Sequence, residues 1–133
     1  MSEEQMEKLI RYRIQQAQQA LQEADLLYHA SLFLGAINRA YYAMFYAIQA
    51  LIVLQNEVTS KHSGAISFFD REFIKTGIFP KNLSRSLHLA FDRRQMNDYG
   101  EVSIFSQPDV LTALTEAKEF VAAVEEYLKK KMF

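Results

Sequence analysis

Residues 33–56 read FLGAINRAYYAMFYAIQALIVLQN, and this stretch decides the fold. Leu34, Ile37, Tyr41, Met44, Ile48 and Leu51 recur at the helical period and form one apolar stripe. The remaining faces, with Tyr42, Ala43, Phe45, Tyr46, Ala47 and Ala50, are also largely apolar. A helix apolar nearly all round must be covered on several sides, so this one belongs at the centre of a helical domain or along a subunit interface. Leu32–Leu54 has about the length of a membrane span, but Asn38, Arg39 and Gln49 lie inside it. A buried central helix is therefore expected, with no membrane partner.

Working outward, each flanking stretch keeps the same period. Residues 2–29 open with Ser2-Glu3-Glu4-Gln5, the form of a capping box, and carry Met6, Ile10, Ala17, Leu21, Ala24 and Tyr28 on one face. A short break near Ser31 separates this helix from the central one. Beyond it, the spacing predicts a third helix over 61–75, with Ala65, Ile66, Phe69 and Phe73 inward and Gly77 as a left-handed stop. Pro80 suits the first turn of a fourth helix, whose inner stripe is Leu83, Leu87, Ala90 and then Arg94. Ser106-Gln107-Pro108-Asp109 signals the start of a last helix, which carries Val110, Leu114, Ala117, Val121, Val124 and Leu128 and ends in Lys129, Lys130 and Lys131. No repeat or linker interrupts the pattern. The expectation is all-α: a single domain over residues 1–133, an antiparallel up-and-down bundle of four or five helices.

Composition agrees. A chain of 133 residues can bury about two thirds of its unfolded surface in one core. Four glycines and two prolines are too few for the turns of an all-β sandwich. The absence of cysteine excludes disulfides and thiolate chemistry, and fits a cytoplasmic location. The polar, charged Met1–Gln19 does not read as a signal peptide. Net charge is −1, so no whole-molecule field draws in nucleic acid. The charge is nonetheless uneven, since residues 61–94 carry +4 and the rest −5. Lys81, Arg85 and His88 share one helix face, which reads either as a strip for phosphates or as a solvated surface.

Arg94 stands out because it continues a stripe that otherwise points inward. A guanidinium there requires a partner, a wet cleft or a subunit interface. Asp98, one turn on, can pair with it, and Tyr99 follows. Arg39 poses the same problem in the central helix, beside Asn38, Tyr42 and Tyr46. Two such arginines fit a semi-buried polar pocket, or equally an internal Arg–Asp network that fixes helix register. His62 opens the third helix, where the dipole's positive end suits an anion and favours a neutral imidazole; a capping or core role is the plainer reading. His29 and His88 have no carboxylate clustered with them in sequence, and there is no His-x-x-x-His or His-Glu-x-x-His pattern, so neither metal nor other cofactor is expected. P-loop, dinucleotide fingerprint and nucleophile elbow are likewise missing.

The runs Asn38-Arg39-Ala40-Tyr41-Tyr42-Ala43-Met44-Phe45, Lys61-His62-Ser63-Gly64 and Arg94-Gln95-Met96-Asn97-Asp98-Tyr99 resemble the HEPN domain (higher eukaryotes and prokaryotes nucleotide-binding), in particular its small stand-alone bacterial and archaeal members. The resemblance implies an all-α bundle that forms homodimers and, in many relatives, works with a minimal nucleotidyltransferase as a toxin–antitoxin pair. Some members are metal-independent ribonucleases, using an arginine and a histidine four to six residues later at a dimer cleft. Arg94 matches that arginine; Asp98, Tyr99 and Glu101 stand in the window, and none is histidine. At the tightest spacing Glu101 also occupies the place of the tyrosine that such partners modify with AMP.

Three functions therefore stay open. One is a nucleotide- or RNA-binding module with a nucleotidyltransferase partner, its cleft formed by Arg94, Asp98, Tyr99, Arg39, Asn38 and Tyr42. The second is a metal-independent ribonuclease with Arg94 as electrostatic stabiliser and a displaced His62 as acid–base. The third is a non-catalytic helical dimerisation protein.

Overall fold

Ser2 caps the first helix as its sequence predicts: its hydroxyl accepts from Gln5 N–H, and Gln5 Oε1 accepts from Ser2 N–H. The computed structural model describes residues 1–57, 61–98 and 105–132, the side chains of Asn97 and Asp98 excepted. Among the described residues there are five α-helices and no strand: α1 (Glu3–His29), α2 (Phe33–Leu54), α3 (His62–Phe69), α4 (Lys81–Asp98) and α5 (Gln107–Met132). The expected all-α bundle is the fold found.

Helices α1 and α2 both end in a Schellman motif, each turning on one left-handed residue. At the first, Ser31 (φ 59°) lets Leu32 N–H reach Leu27 O and Ser31 N–H reach Tyr28 O. At the second, Asn56 (φ 56°) does the same, with Glu57 N–H on Ile52 O and Asn56 N–H on Val53 O. The first motif folds α2 straight back along α1.

The central placement of α2 holds, since it packs against α1, α3, α4 and α5 alike. Its buried set includes Ile37, Tyr41, Met44, Ile48 and Leu51, together with alanines on the flanks that let neighbouring helices approach. Leu34, assigned to the inner stripe, is instead exposed, in the first turn of α2. A second focus of the core is aromatic: Phe69, Phe73 and Phe79 stack on one another, with Phe120 and Tyr127 of α5 against them.

The predicted third helix departs from regularity. The α-helical part stops at Phe69 and a π-helical turn, Asp70–Ile74, continues it, with Lys75 N–H bonded to Asp70 O. The wider turn sends the Asp70 carboxylate towards α4, where it accepts from Ser84 Oγ (2.7 Å) and meets His88 Nε2 (2.7 Å). His88 thus meets a carboxylate from outside its own helix. Gly77 (φ 77°) ends the segment as expected, and α4 starts at Lys81, one residue after Pro80.

Candidate functional site

Two elements converge on the middle of α2. Tyr41 and Tyr42 are consecutive and so point to adjacent faces; α4 crosses them near its C-terminal end, and the first residue of α3 comes in beside them. Arg94 lies seven residues after buried Leu87 and four after buried Ala90, which puts it on the face of α4 turned to α2.

Arg94 is half-buried. Its guanidinium lies 5.5 Å from the ring centre of Tyr41 and 5.3 Å from that of Tyr42, and Nη2 donates to Tyr42 Oη at 3.2 Å. Arg39 approaches the Tyr42 ring as well, at 5.0 Å, while its Nη1 contacts Glu23 Oε1 of α1 at 3.4 Å. Each guanidinium–ring contact is worth about 0.5–1 kcal/mol where exposed and more where desolvated. Two cations therefore share one tyrosine. Arg93, next along the chain, turns the other way and pairs with Glu116 of α5 at 3.3 Å.

His62 reaches the same cluster from α3. Its Nδ1 shares a 2.7 Å hydrogen bond with Tyr41 Oη, its ring stacks on Phe45 at 4.2 Å, and the Tyr42 ring stands edge-on to it at 5.8 Å. Tyr41 is 1% exposed, and that burial pushes its hydroxyl well above the ordinary tyrosine range, with the nearby Arg94 charge pulling more weakly the other way. The hydroxyl consequently stays neutral and anchors the imidazole. Arg94 and His62 meet across Tyr41.

Of the residues singled out in the sequence, the structure brings Arg94, Arg39, Tyr42 and His62 together, with half-buried Asn38 one position before Arg39. The Asp98 side chain, Tyr99 and Glu101 lie outside the described residues. Sequence reasoning placed Tyr41 in the apolar stripe and overlooked its hydroxyl, although a tyrosine at a core position announces a buried O–H that needs a partner. It also missed Phe45 as the imidazole's stacking partner and Glu23 as that of Arg39. Among the described residues no group of three or more His, Asp or Glu side chains is arranged to hold a metal.

The arrangement presents a forked cation on an aromatic floor, with an imidazole at its edge. A guanidinium fork matches phosphate oxygens, and rings beside it suit bases. The HEPN domain family model matches residues 10–127, from within α1 to within α5, and the chain belongs to that family. A UPF0332 protein of Thermotoga maritima is 37% identical over 123 residues, covering 92% of this chain and 93% of that protein. Two Methanocaldococcus jannaschii proteins are also similar. "Putative toxin MJ0142" is 30% identical across 95% of this chain and 83% of its own length, and "Putative toxin MJ0605" is 28% identical across 88% and 87%.

Proposed function

We propose that this HEPN chain is a nucleotide- or RNA-binding module of a toxin–antitoxin or defence pair, acting as a homodimer with a nucleotidyltransferase partner. The toxin names of two relatives support the setting, and the family resemblance supports the partner and the dimer. The observation that carries the binding reading is Arg94 itself, half-buried on Tyr41 and Tyr42 with its fork beside a phenol. An anion seated there gains charge-assisted hydrogen bonds in a partly desolvated site, where they are stronger than in water.

A second reading, metal-independent ribonuclease, draws on the meeting of His62 and Arg94 across Tyr41. In that chemistry the guanidinium stabilises negative charge on the phosphorane, and the imidazole, oriented through Nδ1, moves the proton at Nε2. One assay separates the two. Purified protein is incubated with single-stranded RNA in EDTA, and cleavage and binding are both recorded for wild type, Arg94→Ala and His62→Ala. A ribonuclease cleaves, and each substitution abolishes the cleavage. A binding module does not cleave, and Arg94→Ala lowers its affinity at least tenfold. Affinity unaltered by Arg94→Ala, without cleavage, contradicts both. Co-purification with the product of an adjacent nucleotidyltransferase gene tests the partner.

A further inference from the structure

We propose that the groove between α1 and α2 is a nucleobase subsite, taking an unstacked base from the RNA strand whose phosphate Arg94 holds. The inference rests on the reading of Arg94 as a phosphate site and adds a second point of recognition to it. The groove has a volume of about 260 Å³, and its lining includes Tyr12, Gln16, Gln19 and Glu23 of α1, with Gln15 of the same helix, and Arg39 and Tyr46 of α2. It starts where the Arg94 platform ends, because the Tyr46 ring lies 5.9 Å from that of Tyr42.

Its chemistry suits a base better than a further phosphate. Glu23 and Arg39 offset each other, so little net charge remains. The glutamine amides offer donors and acceptors together, which is what the edge of a base requires, and the tyrosines offer faces on which it can stack. Tyr12, Gln16, Gln19 and Glu23 fall at positions that share one face of α1. Two of these side chains face solvent: Tyr12 is 53% exposed, and Gln19 is exposed too. Arg39 has spare capacity, since its Nε is buried without a hydrogen-bond partner and its contact with Glu23 is long. The volume is slightly below the roughly 300 Å³ at which pockets for drug-sized ligands begin, enough for one base and not for a dinucleotide.

The test uses two probes of equal length and charge: a single-stranded 2′-O-methyl RNA octamer, which cannot be cleaved through its 2′ oxygen, and its abasic counterpart. Wild type is expected to bind the octamer about tenfold more tightly than the abasic chain, the scale of one stacked base. Tyr12→Ala and Gln19→Ala should each remove most of that difference while leaving abasic affinity unchanged, and Tyr12→Phe should restore it. Both residues are exposed, so the variants should keep the wild-type melting temperature. If Arg94→Ala weakens both probes but wild type binds them equally and the groove variants change nothing, the subsite is overturned and the phosphate site stands. If Arg94→Ala weakens neither, the phosphate site falls and takes the subsite with it.

Discussion

At the scale of single residues, two neighbours with the same side chain are set to different work. Arg93 is taken up by Glu116, whereas Arg94 is held by two rings and a phenol oxygen, all of them over fifty positions earlier in the chain. Sequence spacing could place Arg94 on an inward face, and the sequence reading put Tyr42 in its cleft, but nothing in the sequence paired it with Tyr41. Tyr41 is the clearest residue to test. Its raised pKa means that the folded protein holds the neutral phenol where an unfolded chain ionises near pH ~10. The stability this contributes is complete below that pH and is lost as pH climbs through the raised value. In an alkaline titration followed by phenolate absorbance, one of the seven tyrosines should therefore stay neutral until the protein unfolds. All seven ionising together near pH ~10 would contradict the buried placement. Tyr41→Phe deletes the bond to His62 Nδ1 and should cost about 1 kcal/mol in denaturant melts.

Among elements, the helix ends were the most legible part of the sequence, because each device is local. The Ser106 cap is in place: Ser106 N–H donates to Asp109 Oδ2 at 3.1 Å, and Asp109 N–H donates to Ser106 Oγ at 3.4 Å. The Ser106 backbone N–H foremost, and the Ser106 hydroxyl after it, lower the Asp109 pKa. The start of α5 is thus supported above the ordinary carboxylate pKa of ~3.9, and the support is lost as pH falls through the lowered value. Ser106→Ala keeps the backbone N–H and removes the hydroxyl, so it should return the Asp109 pKa only part of the way to that ordinary value, read from its side-chain carbon shift in an NMR titration. Gly77 tests the stop after the π-helical turn. A Cβ there would meet open space, so the penalty of Gly77→Ala comes from the left-handed backbone alone and should be about 1 kcal/mol in thermal melts. The π-helical turn itself was not legible. One widened turn leaves Ala65, Ile66, Phe69 and Phe73 buried just as a regular helix would, and only the redirected Asp70 reveals it.

For the whole molecule, the architecture could be read from α2 because burial on every side leaves a compositional trace that no surface helix carries. Leu51→Ala, deep in that helix, should cost about 2–5 kcal/mol, and a smaller loss would put α2 nearer the surface. The site was legible only in part. The sequence marked Arg94 and Arg39 as residues in need of partners and His62 as a residue at the start of α3, but their meeting on Tyr41 and Tyr42 depends on how α3 and α4 cross α2, which no local spacing encodes. The central claim is that Arg94 holds an RNA phosphate in a partly wet crevice. Its most direct test is the salt dependence of single-stranded RNA affinity for wild type and Arg94→Ala. Losing one phosphate contact should weaken binding at every salt concentration and make the slope of log K against log salt shallower by about 1. An unchanged slope would show that the guanidinium at position 94 touches no phosphate.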